Sequence, residues 1–124
     1  MALGCVALTL VVFLGGPARA ATPVLSTTAS PNAPVGANIF DVASLGLGDN
    51  PTGTITFRLY GPDDATCAGP PIFTSTKPVA GNGTYNSDSY QTVSAGTYQW
   101  VASYSGDANN DAVSTACADP NEQV

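Results

Sequence analysis

Over residues 21–124 the apolar positions come in short alternating runs, and Gly, Pro, Asn and Asp interrupt them. The clearest run is Thr54–Tyr60, where Ile55, Phe57 and Leu59 share one face and Thr54, Thr56 and Arg58 the other. That period of two is the signature of a half-buried strand, and Gly61-Pro62-Asp63-Asp64 ends it. Thr97–Tyr104 puts Tyr98, Trp100, Ala102 and Tyr104 on one face and stops at Gly106-Asp107. Pro23–Ala29 reads as an edge strand, because Pro23 and Pro31 cannot donate to a ladder. Asn38–Leu45 has two competing faces: Phe40 and Val42 on one, Ile39, Ala43 and Leu45 on the other, the second also carrying Asp41. Ile72–Val79 is a strand cut by Pro78, and Thr84–Tyr90 follows the turn signal Gly81-Asn82-Gly83. The last strand is either Ala112–Cys117 or Asn121–Val124. No stretch reads as a helix longer than one turn. About seven short strands bounded by turn chemistry predict an all-β chain folded as an antiparallel β-sandwich.

The first twenty residues have a different pattern. Met1–Gly16 is almost unbroken apolar chain, then come Pro17 and the triplet Ala18-Arg19-Ala20. An apolar stretch, a breaker and an A-x-A site are the parts of a secretory signal peptide, so residues 1–20 are expected to be cleaved and 21–124 to form the domain. No Lys or Arg precedes Val6. The apolar run is shorter than the roughly 20 residues a bilayer requires, so no membrane insertion is expected after cleavage. Cys5 leaves with the leader, and Cys67 and Cys117 remain for an oxidising compartment, where a disulfide between them is the expected state.

Charge and composition narrow the function. The chain has 3 basic and 9 acidic residues and no histidine. With Arg19 removed, only Arg58 and Lys77 could neutralise phosphates, which argues against nucleic-acid binding. Without histidine there is no Ser/His or Cys/His nucleophile pair and no imidazole metal ligand. Asp63-Asp64 lies in a Gly-Pro-Asp-Asp turn, where neighbouring carboxylates point apart, so no acid–base pair is expected from it. No enzyme activity and no cofactor are expected.

Three further groups carry possible chemistry. Asp107, Asn109 and Asp111 have the D-x-N-x-D spacing of calcium loops. Ala112 and Ala118 stand where that loop needs glycine and glutamate, so an Asp/Asn-rich turn is the expectation and no metal residue is assigned. Lys77, the only lysine, could form an intramolecular amide bond beside an inward Asp41, but near a strand end it reads as a charge guarding an edge. Tyr60, Tyr85, Tyr90 and Tyr104 could form an exposed stacking face, or pack with their hydroxyls at the rim.

Ser94-Ala-Gly-Thr-Tyr-Gln-Trp-Val-Ala-Ser-Tyr104 resembles strand F of an immunoglobulin-type domain. The resemblance implies that Tyr98 is a corner tyrosine whose hydroxyl bonds back to the preceding turn. Trp100 stands where antibody-type domains carry a core cysteine, so Cys67 and Cys117 cannot make the usual inter-sheet bridge. Three stretches, Asn50-Pro-Thr-Gly-Thr-Ile-Thr-Phe57, Gly96-Thr-Tyr98 and Tyr104-Ser-Gly-Asp-Ala-Asn109, together resemble bacterial immunoglobulin-like repeat domains of secreted and cell-surface proteins. That family implies an immunoglobulin-like sandwich with a non-catalytic spacer or adhesive role, and a protein or glycan as its partner. The rival expectation is a binding module for a carbohydrate or a small hydrophobic molecule. A Trp100 buried between sheets favours the spacer, and an open groove lined by Trp100 or several tyrosines favours the rival.

Overall fold

The computed structural model describes residues 19–124, so the expected leader, with Cys5, lies outside the described residues except for Arg19 and Ala20. Nine strands follow in order: β1 (Val24–Ala29), β2 (Asn38–Ile39), β3 (Asp41–Gly46), β4 (Thr54–Tyr60), β5 (Phe73–Pro78), β6 (Gly83–Asn86), β7 (Tyr90–Gln91), β8 (Gln99–Tyr104) and β9 (Val113–Ser114). The only helical piece among the described residues is a 3-10 turn, Pro120–Glu122. Every named pairing is antiparallel, in sheets ordered β1-β3-β6, β2-β7 and β5-β4-β8-β9.

The nine strands are the predicted seven with two of them broken. Asn38–Leu45 splits at Phe40 and Thr84–Tyr90 splits at 87–89, because the register slips by one residue between them. Val42 faces Asn86, whereas Ile39 faces Tyr90. This is the two-against-one geometry of a bulge. The Ser87 amide donates to the Asp41 carbonyl, and the Ser87 hydroxyl accepts from the Asp41 amide at 2.9 Å, so the backbone at the slip keeps its partners.

The inward faces of the sheets meet in one cluster. Ile39, Ala43 and Leu45 come from β2 and β3, Ile55, Phe57 and Leu59 from β4, and Trp100, Ala102 and Tyr104 from β8. All are buried, and Tyr98 and Val79 complete the cluster. Two apolar faces sharing one core are compatible with a β-sandwich. The competing faces of Asn38–Leu45 resolve in favour of Ile39, Ala43 and Leu45, which carries Asp41 inward as well. Burying three aliphatic groups gains more than keeping one carboxyl in water, provided that carboxyl is neutralised or partnered.

The final strand combines both predicted alternatives. Val113 and Ser114 pair with Tyr104 and Ser103, and Gln123 bridges to Gln99. Four steps along β8, from Ser103 to Gln99, are thus matched by nine along the outgoing chain, from Ser114 to Gln123. Five residues are extruded, and the excursion carries Cys117, Asp119 and Glu122. The chain crosses the domain from end to end. Ala21 is bonded to Asn109 and Asp111, beyond the end of β8, and Val124 exchanges two backbone bonds with Tyr98, just before its start. We refer to these ends as the Asn110 pole and the Tyr98 pole.

Candidate functional site

Four features have the geometry of a site. At the Tyr98 pole, the long loop after β4 folds down on the turn before β8. The Asp63 amide donates to the Thr97 carbonyl at 2.8 Å, and the Asp63 carboxylate accepts from the Thr97 amide at 3.1 Å. Gly96 makes this approach possible. It has φ +143°, and a Cβ there would lie 2.6 Å from Cβ of Pro62. Asp64 then caps the loop by accepting from the Ala68 and Gly69 amides. The two neighbouring aspartates thus bond different stretches of backbone. Cys67 at the end of this turn is bonded to Cys117 on the excursion, with the Cα atoms 6.1 Å apart. The sequence-predicted disulfide is therefore formed, and it ties the loop to the outgoing chain.

The second feature is a pair of buried carboxyls. Asp41 comes from the inward face of β3 and Glu122 from the 3-10 turn, and both are 0% exposed. The Thr27 hydroxyl of β1 donates to Glu122 Oε1, and the Val42 amide donates to Asp41 Oδ1 at 3.0 Å. Asp41 Oδ2 and Glu122 Oε2 have no hydrogen-bond partner among the described residues. Thr27 pairs with Ala43, two residues along β3 from Asp41, so both carboxyls share one buried face, and both are held above the ordinary range. Burial pushes Glu122 up to about 8, with the Asp41 charge adding to it, and burial pushes Asp41 up to about 6. Two like charges out of water cannot both be ionised cheaply, so the pair retains a proton. Sequence reasoning flagged Asp41 as a candidate inward acid but missed Glu122. The local signal was Asp119-Pro-Asn-Glu122, in which Asp119 caps the turn by accepting from the Asn121 amide at 3.0 Å and Pro120 opens it.

A groove of about 270 Å³ opens at the Tyr98 pole between the 33–35 turn and the 94–96 turn, with Ile39, Tyr98 and Val124 in its lining. Its rim carries Val35, which is well exposed. Tyr98 itself is buried, and its hydroxyl donates to the Ser94 carbonyl at 2.7 Å, the corner bond that the resemblance implied. Trp100 is 0% exposed and lies outside the groove lining.

The fourth feature is the 107–111 loop at the other pole. The Asp107 carboxylate accepts from the Thr52 amide and hydroxyl, the Asn109 amide, the Asn110 side chain and the Tyr104 hydroxyl. Those donors, the Thr52 amide first, hold it well below the ordinary carboxylate range. Asp111 turns away to accept from the Thr22 hydroxyl at 2.9 Å. Asp107, Asn109 and Asp111 therefore do not converge, and the centre of the loop is the buried Asn110 side chain, bonded to both the amide and the carbonyl of Asp49.

The other predicted groups are dispersed. Lys77 on edge strand β5 pairs with Asp88 at 2.6 Å on the surface, whereas Asp41 lies on the buried face of β3. Tyr104 is buried, and Tyr85 is tied through its hydroxyl to Gly81 and Ala80. Tyr90 packs on Phe73 and Tyr98, and Tyr60 lies on the outward face of β4, so no four-tyrosine platform exists. Comparison with family models, with curated proteins and with solved structures found no match to the chain.

Proposed function

We propose that this chain is a non-catalytic immunoglobulin-like module of a secreted or cell-surface protein, acting as a spacer or adhesive unit. The observation that carries this reading is the placement of residues 21 and 124 at opposite poles. A force applied through the chain enters at the Asn110 pole and leaves at the Tyr98 pole, along the strands. Strands loaded lengthwise share the force over many hydrogen bonds. The disulfide at Cys67–Cys117 limits how far the domain can extend. Trp100 in the core leaves no tryptophan platform for a flat ligand. The two carboxyls that converge are sealed from substrate, which supports the absence of catalysis. Export is supported by the expected leader together with the closed disulfide, a state that persists in oxidising compartments.

Single-molecule stretching between residues 21 and 124 tests the spacer reading. The oxidised protein should unfold in one cooperative step. Reduction should release about 180 Å of additional contour, from the 50-residue span at roughly 3.6 Å per residue. Gradual extension at low force, strand by strand, would contradict it.

A second reading, a binding module for a carbohydrate or small hydrophobic molecule, is favoured by the groove at the Tyr98 pole. Its volume is just below the roughly 300 Å³ at which ligand pockets begin. Ligand-induced NMR shifts confined to Val35, Thr92 and Ser94 would promote this reading over the first.

A further inference from the structure

The outgoing chain beyond Cys117 is anchored in an unusual way. From Ala118 to Val124 the only fully buried side chain is Glu122. Val124 is half-buried against the core, Asp119 is half-buried, and Gln123 and the rest lie at the surface. A segment of this kind is ordinarily held by an apolar side chain, whose burial does not depend on pH. Here the anchor is a carboxyl that shares a buried face with a second carboxyl, Asp41.

Among the described residues no cation relieves the pair. β1 and β8 pack against the 3-10 turn, and neither Val24–Ala29 nor Gln99–Tyr104 contains a charged residue. β3 contributes Asp41, and the turn itself adds Asp119, whose charge further opposes ionisation of Glu122. Tyr104 on β8 is engaged with Asp107 and Thr52 at the opposite pole. Arg58 is on the outward face of β4, and Lys77 is paired with Asp88. The neighbours that remain are the Thr27 and Thr115 hydroxyls, which are neutral.

We propose that Asp41 and Glu122 form a proton-dependent latch that docks residues 118–124 while a proton lies between them and releases that segment when the proton is lost. Release unzips the Gln99–Gln123 bridge and the paired bonds between Tyr98 and Val124. It removes Val124 from the groove and exposes the first residues of β8 as an unpaired edge, the kind of template another strand can join. The disulfide stops the opening at Cys117, so β9 and the core stay in place. Both carboxyls are raised by burial, which places the transition near neutral pH, with the segment docked on the acid side and released on the alkaline side.

Residue-resolved hydrogen exchange between pH 5 and pH 9, corrected for intrinsic rates, tests the latch on the whole protein. The Tyr98 and Val124 amides should lose protection by up to about tenfold per pH unit through the transition, the limit for release of one proton. The Ser105 and Asp111 amides, bonded at the opposite pole, should keep theirs. Glu122→Gln and Asp41→Asn should each flatten the response at Tyr98 and Val124. Protection at those two amides that follows Ser105 at every pH, or a Glu122→Gln protein with the wild-type pH response, would overturn the proposal. Should either variant fail to fold, carboxyl-carbon NMR of the wild-type protein decides. Coupled titrations of Asp41 and Glu122 above the ordinary range support the latch, and two ordinary titrations remove it.

Discussion

At the scale of single residues, the polar side chains that matter most are those that organise backbone rather than face solvent. Asn110 replaces a stretch of missing secondary structure, since its amide satisfies the Asp49 amide and carbonyl and two oxygens of Asp107. Asn110→Ala should therefore cost about 2 kcal/mol in urea unfolding, because it leaves buried backbone groups without partners. A change within a few tenths of a kcal/mol would mean the loop does not depend on it. The D-x-N-x-D spacing was legible as an Asp/Asn turn, but its central residue, Asn110, was not one of the three that the spacing marks. The signal lay in the missing glycine and glutamate, which withdrew the calcium reading without identifying what the loop is built around. Tyr98 and Trp100 were fully legible, because alternation alone places both on the inward face, where they are found.

At the scale of elements, legibility followed the strength of alternation. Thr54–Tyr60 was predicted with the bounds it has, since three aliphatic or aromatic groups opposite two threonines and an arginine admit one register. Asn38–Leu45 was ambiguous because its better apolar face carried Asp41. Burial of Ile39, Ala43 and Leu45 settles the register and carries Asp41 inward beside Glu122, a residue distant in sequence that no local pattern announces. The final strand is a further case. The sequence offered two alternatives, and the chain uses both, extruding the residues between them so that Cys117 reaches Cys67. The disulfide thus shapes the strand as well as stapling it. Its removal by Cys67→Ala and Cys117→Ala together should destabilise the domain by up to about 4 kcal/mol for a span of 50 residues, less whatever structure the unfolded chain retains. Calorimetry of the double variant checks this, and an unchanged melting temperature would contradict it.

At the scale of the whole molecule, the charged groups give an acid-shifted stability profile. Glu122 and Asp41 have raised values in the folded protein, so their contribution is complete below the ordinary carboxylate range. It is lost as the pH rises from the usual glutamate value of 4.5 to about 8. Asp107 works in the opposite sense. Its value is lowered, so its contribution is present above the usual 3.8 and is lost as the pH falls below it. The melting temperature should therefore peak at roughly pH 4–5, below the range usual for globular proteins, and fall steadily towards pH 8. Glu122→Gln should remove most of the alkaline decline and leave the acid limb unchanged. A profile flat from pH 5 to pH 8 in the wild-type protein would contradict the buried pair.

The proposed function requires export, cleavage after Ala20 and a closed Cys67–Cys117 disulfide. The most direct test is the intact mass and N-terminus of the protein recovered from the medium of an expressing culture, with and without reduction and alkylation. The expected result is an N-terminus at Ala21 and a mass two hydrogens below the reduced form, with Cys67 and Cys117 closed to alkylation until reductant is added. Protein retained in cells with Met1 in place and both thiols reactive would contradict export and the staple together, and with them the proposed function.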